Sequence, residues 1–207
     1  MVTSILSEAD AREVEAAIGR VEAQSAAEVV VAVVPQSQEY WRGRVLLALA
    51  WSLAAGFAFL WLEPWQEPAL VLLIEVVVGA AAFALSGLGP WRGWLVWGAE
   101  AERAVRARAL QLFAERGLHG TRGRTALLIF VSELERRVVL LGDRSLNDEL
   151  GQRGWDEQVE LLLHHIRSGQ ARQGLLEVLE QLTPRLASIA PRAEDDQNEL
   201  PDAVLRG

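Results

Sequence analysis

The chain of 207 residues contains no cysteine. Disulfide scaffolds, thiolate zinc sites, haem attachment and cysteine nucleophiles are therefore excluded, and nothing implies an oxidising compartment. Lysine is absent too, all 20 basic residues being arginine. That removes the phosphate-loop lysine, Schiff-base chemistry and lysine general bases, each of which needs an amine that can approach a phosphate or lose its proton. Basic charge is also the minority sign, the net charge being −8. Nucleic-acid partners are not expected, because phosphate neutralisation needs a basic face. The opening residues show no basic region followed by a short apolar core and a small-residue cleavage site, so a removed signal peptide is not expected.

What the sequence does have is apolar length. Val45 to Leu62 is 18 residues without a charge, and Ala69 to Leu88 is 20 residues with only Glu75. At ~1.5 Å per residue these make helices of roughly 27 and 30 Å, close to the thickness of a bilayer's hydrocarbon layer. Pro64 and Pro68 break the connection between them, which predicts a transmembrane helical hairpin within 41–97. Trp61 and Trp65 at the loop end, and Trp41, Trp91, Trp94 and Trp97 at the other, suit two interfacial belts, with Trp51 inside. Arginines flank the outer ends (Arg42, Arg44, Arg92, Arg103, Arg106, Arg108) and none lies in the connecting loop. The positive-inside rule then predicts a two-pass protein of the plasma (inner) membrane, with both termini and the soluble domain cytoplasmic.

Before the hairpin, residues 1–40 hold one helix and one strand. Ser7 and Asp10 form a capping-box pattern ahead of Val14, Ile18 and Val21. Glu28 to Val34 is a β-branched run without alternation, which predicts a strand covered on both faces. Two such elements cannot close a core, so the partner must lie in residues 98–190. There a helix over Ala99 to Arg116 precedes strands Thr125 to Val131 and Arg137 to Leu141. Apolar stripes follow, Trp155 to Ile166 and Leu175 to Ile189, the second kinked or broken near Pro184. The expected fold is α/β: a small mixed β-sheet sandwiched by helices and interrupted by the membrane hairpin. Residues 191–207 are polar and read as a flexible tail.

Candidate chemistry is sparse. The carboxylates expected to share space are Glu28 at the start of the first strand and Asp143 and Asp148 after the third, with Ser145 between them; oxygen ligands at strand ends suit Ca²⁺ or Mg²⁺, although solvated loop acids and turn formers account for the same residues. Arg122 and Arg124, in the turn Gly120 to Thr125, suit a phosphate or a lipid headgroup, because guanidinium forks match its oxygens. His164, with Asp156 and Glu160, reads as a solvated face. Glu75 is the unusual residue. A carboxylate inside a span demands a partner, a proton or a route to the interface, and a polar contact with another membrane protein or a second copy is one solution.

Four segments together resemble the TPM domain family, which includes thylakoid lumen proteins linked to photosystem repair and many bacterial membrane proteins. They are Ser25 to Val34 (SAAEVVVAVV), Gly120 to Val131 (GTRGRTALLIFV), Arg137 to Asp143 (RVVLLGD) and Ile166 to Leu175 (IRSGQARQGL). The resemblance implies a compact α/β sandwich, divalent-cation binding, and an acid phosphatase activity in some members. Where many members have a Gly-x-Gly turn, this chain has Gly142-Asp143-Arg144-Ser145. Two functions of different class follow. One is a non-enzymatic adaptor or assembly factor for a membrane complex. The other is a divalent-metal-dependent phosphatase, which rests on the resemblance alone.

Overall fold

The computed structural model describes residues 5–62, 67–88, 98–118, 125–192 and 204–206. Among these lie six helices and four strands: α1 (Glu8–Glu22), β1 (Glu28–Val34), α2 (Trp41–Leu62), α3 (Pro68–Ser86), α4 (Gly98–Glu115), β2 (Ala126–Ser132), β3 (Arg137–Gly142), α5 (Arg144–Arg167), α6 (Ala171–Ile189) and β4 (Leu205–Arg206). The chain divides into two compact units, Met1–Ser37 with Glu102–Gly207, and Gln38–Ala101.

The first unit is built on a mixed sheet of order β3-β2-β1-β4. β1 and β2 are parallel with Val31 opposite Ile129, while β2 and β3 form an antiparallel hairpin with Phe130 opposite Val139. Odd-numbered residues of β1 and β2 (Val29, Val31, Val33, Leu127, Ile129, Val131) face one core, closed by Val14 and Ile18 of α1, Leu162 of α5 and Leu175, Leu179 and Leu182 of α6. Even-numbered residues (Val30, Ala32, Ala126, Leu128, Phe130) face a second core, closed by Val105, Ala109 and Leu112 of α4. Burial on both faces explains why β1 and β2 are apolar throughout rather than alternating.

The helix starts follow local chemistry. Ser7 and Asp10 close the expected capping box at α1, the Asp10 amide donating to the Ser7 hydroxyl at 3.1 Å and the Ser7 amide to the Asp10 carboxylate at 3.0 Å. The Ser7 hydroxyl holds the Asp10 carboxyl below the usual aspartate range. α5 begins earlier than the Trp155 stripe predicts. Asp143 caps a first segment, accepting from the Leu146 amide at 3.2 Å, and a kink at non-helical Gly151 (φ 60°, ψ 176°) divides that segment from the one carrying the Trp155 stripe. α6 is neither broken nor ended at Pro184, which lies inside a continuous helix.

One expectation is corrected. Residues 191–207 are not a free tail along their whole length, because Val204 is buried and Leu205–Arg206 pairs in parallel with Ala32 and Val33 of β1. The reason is that β1 would otherwise present an open edge of unpaired amides and carbonyls. Pro191 likewise bridges to Ser25. Residues 193–203 lie outside the described residues.

The second unit holds α2 and α3, helices of 22 and 19 residues, both long and apolar enough to cross a membrane. They pack antiparallel in register. Gly56 meets Glu75, and Ser52 meets Gly79 four residues further along each helix; Arg44, near the start of α2, meets Phe83 and Gly87. Small residues at this spacing let two helix backbones approach closely. Away from this seam the apolar side chains are exposed, Phe57 at 70% and Val76 at 68% among them. Trp41, Trp51 and Trp61 belong to α2 and are exposed. Trp65, Trp91, Trp94 and Trp97 lie outside the described residues.

Candidate functional site

The starts of β1 and β2 and the end of β3 form one end of the sheet, and the sequence-predicted acids partly gather there. Glu28 lies opposite Ala126, and its amide donates to the Thr125 carbonyl at 3.0 Å. On the other side of β2 the Asp143 amide donates to the Ala126 carbonyl at 3.1 Å. Glu28, Ala126 and Asp143 thus form one row across three strands, which puts the two acidic residues two strand spacings apart, roughly 10 Å between Cα atoms. Glu28 is buried, Asp143 half-buried and Asp148 exposed on α5.

Asp143 is the most constrained of the three. Its Oδ1 accepts from the Leu146 amide, while its Oδ2 is buried and has no hydrogen-bond partner among the described residues. Burial raises its pKa above the usual aspartate value, against the opposing pull of the Leu146 and Ser145 amides. A network behind it fixes the turn. The Trp155 indole donates to Asn147 Oδ1 at 2.9 Å, and Asn147 Nδ2 donates to the Gly142 carbonyl at 2.9 Å. Trp155 lies so close over Gly142 that a Cβ there would sit 2.7 Å from its ring and 2.9 Å from Leu146. Only hydrogen fits beneath the indole at this strand end.

Chemically this end offers one carboxylate with a spare oxygen and a second acid across the sheet. Ser145 is exposed on the first turn of α5. Among the described residues no three His, Asp or Glu side chains are grouped to hold one metal ion. Arg122 and Arg124 precede Thr125 in the chain and lie outside the described residues. His164 is exposed, as expected for a solvated face.

Two polar groups escaped the sequence reading. At the opposite end of the sheet, the Ser132 hydroxyl donates to Glu135 Oε2 at 2.5 Å, Ser37 Oγ lies 2.8 Å from Ser132 Oγ, and the Ser37 amide donates to Glu135 Oε1 at 3.0 Å. Ser132 and Glu135 are buried. Their Ser-x-x-Glu spacing is the capping-box pattern, here closing a strand turn instead of a helix start. The second group joins α5 to α6. His165 Nε2 lies 2.9 Å from Glu177 Oε2, and Gln158 donates to Gln181 at 3.0 Å. Seven-residue spacing on one helix and four-residue spacing on the other is the available signal.

In the hairpin, Glu75 faces α2. A Cβ at Gly56 would overlap its carboxylate, so the glycine makes its place. An apolar cleft of about 310 Å³ lies beside it, lined by Ala48, Leu49, Ser52, Val76, Gly79 and Phe83 among others. Arg44 closes the far end, donating to the Phe83 carbonyl at 3.0 Å with its guanidinium 4.3 Å from the Phe83 ring centroid.

No protein-family model matches the chain, and no curated protein does. Among solved structures it is similar to the BA42 protein of the psychrophilic bacterium Bizionia argentinensis, determined by NMR. The TM-score is 0.61 at 17% identity, over 100% of this chain and 99% of that one. The likeness is one of fold.

Proposed function

We propose that this protein is a two-pass membrane protein whose α/β unit, a TPM-like domain, serves as a non-enzymatic adaptor or assembly factor for a membrane protein complex. The observation that carries the anchor is the contrast between the units. The α/β unit buries its apolar side chains in two closed cores, whereas α2 and α3 expose Leu53, Phe57, Leu72 and Val76 and bury little besides Gly56 and Ser86. Water does not tolerate that surface and lipid does. The adaptor role is supported by the sequence segments that resemble the TPM family.

Orientation rests on the arginine distribution, which favours cytoplasmic termini in a plasma (inner) membrane. A reporter fused after Gly207 should then read as cytoplasmic and a tag at Gln66 as external; the reverse pattern would refute that orientation. Crosslinking in native membranes, with purified protein assayed in parallel on phosphoesters, tests the role. Recovery of one membrane complex from inactive protein supports the adaptor. The buried, unpartnered Oδ2 of Asp143 favours one competing reading, a phosphatase using Ca²⁺ or Mg²⁺. Metal-dependent turnover that is lost in Asp143→Ala would establish that reading and remove the adaptor. Calorimetry with millimolar Ca²⁺ or Mg²⁺ giving neither heat nor a melting shift would remove the metal.

A further inference from the structure

Glu75 is the eighth residue of α3, about 11 Å along the helix from its start. If α3 spans a bilayer, this depth lies within hydrocarbon, where a carboxylate that stays ionised needs a partner. Among the described residues no hydrogen bond or ion pair reaches it. Residues 45–62 and 68–86 contain no Arg, Lys or His. The Arg44 guanidinium sits at Phe83, roughly 12 Å along α3 from Glu75, and is already engaged by the Phe83 ring and carbonyl.

The surroundings are shaped to admit something. Ala48, Ser52 and Gly79 form a small-residue floor, and Leu49 and Val76 stand exposed at the rim. We propose that the cleft beside Glu75 is the docking site for a transmembrane helix of another protein that carries an Arg or Lys side chain at this depth, the cation pairing with the Glu75 carboxylate. This rests on the reading of α2 and α3 as membrane spans and names the chemistry of the partner that an adaptor would take.

Charge complementarity selects this occupant over the alternatives. A second copy inserted with the same topology brings Glu75 against Glu75 and supplies no cation at that level. Lipid amines lie at the headgroup level, not about 11 Å inside. A cation at this depth must therefore be carried there on a helix, and small residues on the receiving face are what allow such a helix to approach.

The full chain in phosphatidylcholine and phosphatidylglycerol vesicles tests this, with a photo-crosslinker at Val76. The probes are biotinylated 21-residue leucine-alanine helices carrying Arg, Leu or Glu at the matching depth. Insertion is checked independently by quenching of tryptophan fluorescence with lipids brominated along the acyl chain. The Arg helix should crosslink about tenfold more than the Leu helix, and the preference should vanish in Glu75→Gln and in Glu75→Leu. Insertion without an Arg preference, or a preference that survives both substitutions, overturns the inference and leaves the membrane anchor standing. Failure of the wild-type chain to insert overturns both. Crosslinking of the chain to itself in place of the Arg helix, abolished by Glu75→Gln, would put a second copy in the cleft and overturn the partner helix.

Discussion

The α/β unit depends on joining two chain segments separated by the hairpin, and Val31 is where that dependence is most exposed to test. Val31 lies in the middle of β1, has 0% exposure, and sits opposite Ile129 of β2. Val31→Ala removes two methyl groups, about 1.6 kcal/mol at ~0.8 kcal/mol per buried group. The void left between β1 and the helices that cover it adds to this, for a total of about 2 to 3 kcal/mol. In a unit of this size that lowers the melting temperature by about 10 °C. Val31→Asp is more severe, since it adds an unpaired buried charge to the lost packing and takes up a large share of the roughly 5 to 15 kcal/mol that holds a domain together. It should unfold the α/β unit.

Amide hydrogen exchange read by mass spectrometry separates this outcome from a local one. In Val31→Ala the peptides covering Ala126 to Ser132, almost a hundred residues downstream, should lose protection in step with those covering Glu28 to Val34. Peptides from the α2 and α3 seam should not change. If β1 loses protection while β2 keeps that of the wild type, the two segments are separate folding units and the reasoning from strand burial is wrong.

Other perturbations are quicker to state. Asp143 has a folded pKa above its unfolded one, so its contribution favours the folded state at low pH and is lost as pH rises through the folded value. Asp143→Asn should accordingly melt higher than wild type at pH 7 and equal it below pH 3.8, the ordinary aspartate value; a wild type that melts higher at pH 7 refutes the burial argument. Gly142→Ala forces a methyl against Trp155 and Leu146 and should cost about 1 to 3 kcal/mol in denaturant unfolding, with Trp155→Phe recovering part of it. Replacing residues 38–97 by a flexible linker should leave a soluble protein with a cooperative melt; a gradual, non-cooperative melt would show that the hairpin is needed for the fold.

The two strands buried on both faces were legible because continuous β-branched runs have few other uses. The hairpin was legible because 18 charge-free residues exceed what a small core can hold. The expected ends of α2 and α3 differ from the observed ones by a few residues. Strand β4 was not legible, since a two-residue strand inside a polar segment carries no periodicity and is set by the edge it covers. The segment of α5 ahead of the Gly151 kink was missed because Asp143 looks alike as a loop acid and as a helix cap. The buried His165 contact with Glu177 depends on how α5 and α6 are placed, which no single helix encodes. Of the candidate acids expected to share space, Glu28 and Asp143 do share a row across the sheet, while Asp148 turns to solvent on α5, because its direction is set by the helix that Asp143 starts.

The position of the interruption follows from how the first unit secures its own chain. Where β1 ends, the Glu133 amide donates to the Val34 carbonyl and the Leu134 amide to the Pro35 carbonyl, both at 3.0 Å. The Ser37 amide then bonds Glu135, and the Ser37 hydroxyl meets Ser132. Every one of these ties belongs to the β2–β3 turn, so the last residues before the hairpin are fixed by the strands that follow it. Lengthening a disordered loop from four to roughly sixty residues would cost about 2.5 kcal/mol in closure entropy, near 0.6 kcal/mol per doubling. Here the insert is not disordered, because α2 and α3 pack antiparallel and Arg44 at the entry bonds Phe83 near the exit. The start of α2 and the end of α3 lie side by side, so the effective loop is shorter than its residue count and the closure cost is smaller than that figure. A helical pair can therefore be carried between β1 and β2 without weakening the parallel contact on which the domain depends.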